Sequence, residues 1–159
     1  MACTTPPTVP VLVYIQVAAS PTPAVTYAAG NAASRPYVKP GGELDFSTLH
    51  GCVMVTLKIT SAGYYFYDGY GRHSLAFSDD STKPKAVLDP AARTHHQFPN
   101  GFSGSGSPTV TFLYHNDWDG GQHDGKKHFP TSAYGVYIGN AQGFFATFDP
   151  IVDNGGNQL

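Results

Sequence analysis

The stretch Val9-Pro10-Val11-Leu12-Val13-Tyr14-Ile15-Gln16-Val17 decides the fold class. Val9, Val11, Val13, Ile15 and Val17 occupy every second place, the period of a strand with one face in a core and the other toward solvent. The same alternation recurs along the chain. After the Ser20-Pro21-Thr22-Pro23 turn a short strand is expected over Ala24 to Ala28. The Lys39-Pro40-Gly41-Gly42 turn then leads into Glu43 to Leu49, with Leu44, Phe46 and Thr48 on one side. From Cys52 to Thr60, Val53, Val55, Leu57 and Ile59 form one face, with Cys52, Met54 and Thr56 on the other.

Further short strands are expected over Tyr64 to Tyr67, Ser74 to Phe77 and Ala86 to Leu88. Thr109 to His115 alternates on Val110, Phe112 and Tyr114, and Ala133 to Ile138 on Tyr134, Val136 and Ile138. Gly143 to Phe148 alternates on Phe144, Ala146 and Phe148, and Gly139-Asn140-Ala141-Gln142 supplies a hairpin turn before it. Asp79 to Pro108 is weakly patterned, and Ser103-Gly104-Ser105-Gly106-Ser107 reads as a flexible loop.

Composition agrees with strands. The 159 residues include 18 glycines, 13 prolines, 10 tyrosines and 10 phenylalanines, and only 13% are charged. An ordinary domain carries about 25% charged residues. Glu43 is the sole glutamate among 11 acidic residues, and aspartate suits turns better than helix interiors. These features predict an all-β chain: a single-domain antiparallel β-sandwich over residues 1–159, immunoglobulin/cupredoxin-like, with little or no helix. The turn spacing implies about eight or nine short strands, a closed barrel being the lesser alternative.

Function classes narrow in the same way. A net charge of -2 with nine scattered Lys and Arg offers no footprint for nucleic acid. No apolar run approaches the roughly 18 residues of a membrane helix. The start Met1-Ala2-Cys3-Thr4-Thr5 lacks the basic residues of a secretory signal, so a cytoplasmic or already processed protein is expected. Cys3 and Cys52 make no disulfide framework and read as two free thiols.

Polar chemistry gathers in one place, His115-Asn116-Asp117-Trp118-Asp119-Gly120-Gly121-Gln122-His123-Asp124-Gly125-Lys126-Lys127-His128. Asp117, Asp119 and Asp124 are oxygen ligands of the kind calcium takes, although the EF-hand pattern and its closing glutamate are missing. His115, His123 and His128 are candidate ligands for zinc or copper, without a helical i, i+4 pair or a nearby cysteine. Asn116, Asp117, Trp118 and Asp119 together match a carbohydrate-binding loop, in which a few polar groups orient a sugar beside an aromatic surface. The plain alternative is a solvated connection built from turn-forming residues.

A second cluster is aromatic. Tyr64, Tyr65, Phe66, Tyr67 and Tyr70 put rings on both faces of one strand, which suits a binding or assembly interface, the plain alternative being a strand at the sandwich centre whose hydroxyls reach water at its rim. No Gly-x-Ser-x-Gly elbow, P-loop, dinucleotide fingerprint or Cys-x-x-Cys pair is present. The leading expectation is a non-catalytic protein that binds a ligand, with carbohydrate the favoured class, through loops at its strand ends. A metal-dependent enzyme built on residues 115–128 and a structural, self-assembling sandwich are the competing readings.

The closing residues, Tyr134-Gly135-Val136-Tyr137-Ile138 and then Phe144-Phe145-Ala146-Thr147-Phe148-Asp149-Pro150-Ile151-Val152-Asp153-Asn154, carry a resemblance. A last strand running into Asp-Pro-hydrophobic-x-x-Asn resembles small bacterial β-sandwich proteins of the DP-EP group and, more loosely, inclusion-body proteins of the AidA/PixA type. The first strand and Ala24 to Tyr27 look similar as well, so the likeness covers about a quarter of the chain. It implies a soluble, non-enzymatic sandwich, with sugar binding in some inclusion-body members, and it transfers no catalytic residue. The His115 to His128 loop departs from both groups.

Overall fold

The computed structural model describes residues 10–49, 51–67, 75–78, 102–103, 106–116, 122–123, 126–127, 131–148 and 151–153. Strands β1 (Pro10–Ala18) and β2 (Ala24–Ala29) are followed by a 3₁₀ helix (Ala32–Tyr37), then β3 (Leu44–Asp45), β4 (Gly51–Ile59), β5 (Tyr65–Phe66) and β6 (Leu75–Ser78). The rest are β7 (Phe102–Ser103), β8 (Thr109–Asn116), β9 (Gln122–His123), β10 (Lys126–Lys127), β11 (Thr131–Asn140), β12 (Gly143–Phe148) and β13 (Ile151–Asp153). The chain is all-β, as its alternation and composition predict.

One sheet has the order β2-β1-β4-β8-β7. In the other, β12-β11-β13-β3, the long strand β11 also pairs with β5 and β6. Val11, Val13 and Ile15 of β1, Val53, Val55, Leu57 and Ile59 of β4, and Val110, Phe112 and Tyr114 of β8 are buried. They share one core cluster with Leu44, Phe46, Phe66, Tyr134, Val136 and Ile138, contributed by the second sheet and its connections. Period-two sequence thus becomes a core because alternate side chains of both sheets meet, each fully buried aliphatic contributing about 1.5–3 kcal/mol.

The antiparallel expectation needs correction at two places. β1 runs parallel to β4, with Val13 opposite Leu57, and β13 runs parallel to β3. Between β1 and β4 the chain passes through β2, the helix and β3, which belongs to the other sheet, before re-entering beside β1 in the same direction. Such a crossover needs a long connection, and the residues from Ala18 to Gly51 supply it.

Local chemistry explains where elements stop. The strand expected over Glu43 to Leu49 ends at Asp45, whose carboxylate accepts from Ser47 N at 3.1 Å and Ser47 Oγ at 2.6 Å. That side chain replaces a ladder partner and turns the chain, leaving Thr48 exposed. Partial burial pushes the Asp45 carboxyl up, but the Ser47 hydrogen bonds and the Lys39 charge outweigh it, holding the group below the usual range. Ser103, expected in a flexible loop, pairs with Thr111 in the ladder, and Ser107 accepts from Phe66 N. The strand expected at Ala86 to Leu88 lies outside the described residues.

The 3₁₀ helix was not legible in the sequence, and it has a structural task. Asn31 Oδ1 caps it through Ser34 N at 2.9 Å. Ser34 is completely buried, and its Oγ accepts from Leu12 N at 2.8 Å while Gly30 N donates to the Leu12 carbonyl at 2.8 Å. Gly30 and Ser34 therefore continue the pairing of β1 beyond the end of β2. Ser34→Ala is expected to lower stability by about 1–3 kcal/mol, the cost of stranding a backbone donor. Urea unfolding measures it, and an unchanged midpoint would remove this role from Ser34.

Both layers grip the turn before β3. Gly42 N donates to the Lys39 carbonyl at 3.0 Å, and Gly42 has φ of 85°, a conformation natural to glycine. The Tyr27 ring of β2 lies against Gly42, and the fully buried Tyr134 of β11 donates its hydroxyl to the Gly42 carbonyl at 2.6 Å.

Candidate functional site

The aromatic strand expected over Tyr64 to Tyr67 is short, and its neighbours sort its rings. Phe66 N donates to the Ser107 carbonyl at 2.9 Å and Gly106 N to the Phe66 carbonyl at 2.7 Å, while Tyr67 N donates to the Tyr137 carbonyl at 2.8 Å. β5 therefore lies between β11 and the segment that enters β8, joining the two sheets at this end. Phe66 stands opposite Ile138 and is buried in the core. Tyr65 stands opposite Gly139, so it occupies the outer face.

That outer face carries a shelf of rings. A Cβ at Gly139 would lie 2.8 Å from Tyr67 Cδ2 and 2.9 Å from Tyr65 Cε2, so the two rings rest directly on the glycine backbone. The Tyr65 hydroxyl donates to the Asn140 carbonyl at 3.0 Å, fixing the first ring. Tyr67 meets Phe144 at 5.5 Å between centroids with an interplanar angle of 61°, an edge-to-face pair. Phe144 is 41% exposed and Tyr65 and Tyr67 are half-buried, so the shelf borders solvent. Tyr64 lies apart from it: its ring meets Phe145 at 5.2 Å, and both pack against the core.

A β-bulge positions Phe144. The register of β11 and β12 shifts between Ile138 and Gly139, so Ile138 opposes Ala146 whereas Gly139 opposes Phe144. Ala146 and Phe148 keep to the inner face, and the additional residue Phe145 sends Phe144 outward. Sequence alternation put Phe144, Ala146 and Phe148 on one side, and the structure corrects this for Phe144. The adjacent pair Phe144-Phe145 is the signal in the sequence, since a strict period-two strand with one wet face would not place two large apolar rings in succession. The turn is also one step tighter than expected. Only Ala141 and Gln142 separate the strands, with Gln142 N donating to Asn140 Oδ1 at 2.9 Å and Gly143 at φ of 105°.

The polar cluster is placed elsewhere. His115 and Asn116 end β8, opposite Cys52 and Gly51 at the start of β4. Tyr65 to Tyr67 lie at the other end of β8, next to Ser107. The eight residues of β8 span roughly 25 Å at about 3.3 Å per residue, so Asn116 and the aromatic shelf cannot serve one small ligand. His123 pairs with Lys126 in the β9–β10 hairpin. Asp117, Trp118, Asp119, Asp124 and His128, with Tyr70 and Cys3, lie outside the described residues. Among the described residues no three His, Cys, Asp or Glu side chains gather as they would around a metal ion. Nor is any helix among them long and apolar enough to cross a membrane.

Comparison of the chain with protein families, with curated proteins and with solved structures returns no match. The resemblance of the closing segment to the DP-EP and inclusion-body groups rests on its motif alone. The strand in that motif, β13, pairs antiparallel with Thr131–Ala133 of β11 and parallel with β3.

Proposed function

We propose that this protein is a non-catalytic binding module that recognises carbohydrate at the ends of its strands, with the aromatic shelf as the principal contact. The observation that carries the reading is the exposure of Phe144 beside Tyr65 and Tyr67. Sugar rings present apolar C–H faces and a rim of hydroxyls, which call for aromatic surface next to a few amide or hydroxyl groups. Tyr65, Tyr67 and Phe144 supply the surface, and the β11–β12 turn places the Asn140 and exposed Gln142 amides next to it in sequence. Asn116, at the far end of β8, is the one described member of the polar stretch Asn116 to Asp119, and a second contact there would suit a chain of sugars and not a single residue.

A glycan array on the wild-type protein identifies ligands, and calorimetry on Tyr67→Ala and Phe144→Ala measures the shelf. Each truncation is expected to weaken binding by about tenfold, the effect of removing one aromatic contact of about 1.4 kcal/mol. Trp118→Ala is the parallel test for the polar stretch Asn116 to Asp119. Folded protein that binds no glycan overturns the carbohydrate assignment. Glycan binding indifferent to both Tyr67 and Phe144 overturns the shelf.

A further inference from the structure

Strand β1 ends differently on its two sides. Toward β4, Thr60 N donates to the Ile15 carbonyl at 2.8 Å, as a parallel ladder requires. The Thr60 carbonyl would accept from Val17 N in a regular ladder, but Ser61 Oγ takes that bond at 2.8 Å. A side-chain hydroxyl has replaced a backbone group, so the ladder between the two strands opens at this point. Toward β2 the register continues to the end of the strand, with Gln16 opposite Thr26 and Ala18 opposite Ala24.

Period two puts those four side chains on the exposed face, away from the core residues Val13 and Ile15. Two of the four are methyl groups, too small to fill the space beside the larger pair. The result is a hollow of about 330 Å³ lined by Gln16, Val17, Ala18, Ala24, Thr26 and Ser61. Small-molecule sites run from about 300 to 1,000 Å³, so this one suits a single ring.

The chemistry of the lining is neutral, since none of the described residues that form it is charged. Its polar groups are the Gln16 amide and the Thr26 and Ser61 hydroxyls, groups that both donate and accept. Ser61 Oγ is held by Val17 N and the Val17 carbonyl and keeps one acceptor position. Methyl groups of Ala18 and Ala24 lie among them. A neutral sugar ring matches that set, because its hydroxyls donate and accept around an apolar C–H frame.

The hollow also lies at the right end of the sheets. Ile59 N donates to the Pro108 carbonyl at 2.8 Å and Phe66 N to the Ser107 carbonyl at 2.9 Å, so the end of β4 and the aromatic strand β5 attach to one segment. Ser61 and Tyr65, four residues apart, are separated by at most about 14 Å. We propose that the hollow is a second sugar subsite, taking one neutral ring at the same end of the molecule as the aromatic shelf. Gln16 and Thr26 bond the hydroxyls of that ring, and Ala18 and Ala24 meet its C–H face. The inference rests on the carbohydrate reading of the shelf and adds a site of different chemistry to it.

Amide NMR of the ¹⁵N-labelled protein, titrated separately with glucose, galactose, mannose and N-acetylglucosamine, tests the subsite. At least one sugar is expected to shift the Gln16 side-chain amide and the Thr26 and Ser61 backbone amides, saturating with a Kd on the order of 1–10 mM, the range open to a single ring. Ala24→Tyr fills the hollow from an exposed strand position and should weaken that binding by about tenfold or more, while shifts at Tyr67 and Phe144 persist. Gln16→Ala with Thr26→Val removes the polar contacts instead, and it carries the test if Ala24→Tyr does not fold. Saturable shifts at the shelf with none at the hollow overturn the subsite alone, and so do hollow shifts undiminished in the folded variants. No shift at either place overturns the subsite, and an empty glycan array beside it overturns the carbohydrate reading as well.

Discussion

Gly42→Ala is expected to lower stability by about 2–5 kcal/mol, whereas Gly63→Ala should cost only about 1–2. The two glycines have nearly the same backbone, with φ of 85° and 84°. Any L-residue at either site meets the left-handed penalty, about 1–2 kcal/mol. Their surroundings differ. A Cβ at Gly63 has nothing within 4 Å, while one at Gly42 would lie 2.7 Å from Tyr27 Cε2 and 2.8 Å from two further ring atoms. The ring would have to leave a packed position, and overpacking adds about 1–3 kcal/mol. Urea titrations of both variants at constant slope give the difference directly. Equal losses would mean that the Tyr27 ring moves aside without cost and does not clamp the turn.

The second large effect belongs to Tyr134. Truncation to alanine removes a fully buried aromatic side chain and should cost about 3–5 kcal/mol. Tyr134→Phe isolates the hydroxyl: it leaves the ring in place and strands the Gly42 carbonyl, for an expected loss of about 1–3 kcal/mol. The hydroxyl also predicts a response to alkali. Burial, with a smaller contribution from Tyr27, holds the Tyr134 phenol well above the ordinary tyrosine value of 10.0. The unfolded chain therefore releases this proton at lower pH than the folded one does. Stability from the protonated phenol is complete below pH 10.0 and is lost as pH rises beyond it. Unfolding measured from pH 8 to about 11 should show a steeper decline for the wild type than for Tyr134→Phe. Parallel curves would show that the phenol ionises without opposing the fold.

Both predictions concern one junction, where a tyrosine from each layer meets the turn before β3. The junction has no signature in the chain. Tyr27 and Tyr134 are separated by more than half its length, and each reads separately as one more apolar residue in a strand. The same holds for the candidate site. Tyr64, Tyr65 and Tyr67 stand out as an aromatic run, but the division of Tyr65 and Tyr67 to the outer face, Phe66 to the core and Tyr64 to its margin depends on where β11 lies. Phe144 joins the shelf only because of a bulge, whose one trace in the chain is the adjacent pair Phe144-Phe145.

The sequence by itself determined the all-β class, the inward faces of β1, β4, β8 and β11, and the places where turns interrupt them. These are local matters, because the alternation of side chains along a strand needs only one face to be dry. Tertiary structure alone decided the parallel pairing of β1 with β4, the 3₁₀ helix that completes the edge of β1, and the aromatic shelf over Gly139. Period two is the same in parallel and antiparallel strands, and a side chain acting as a backbone partner is visible only once both groups are in place. A ring resting on a distant glycine likewise exists only when two segments far apart in the chain have been brought to one face.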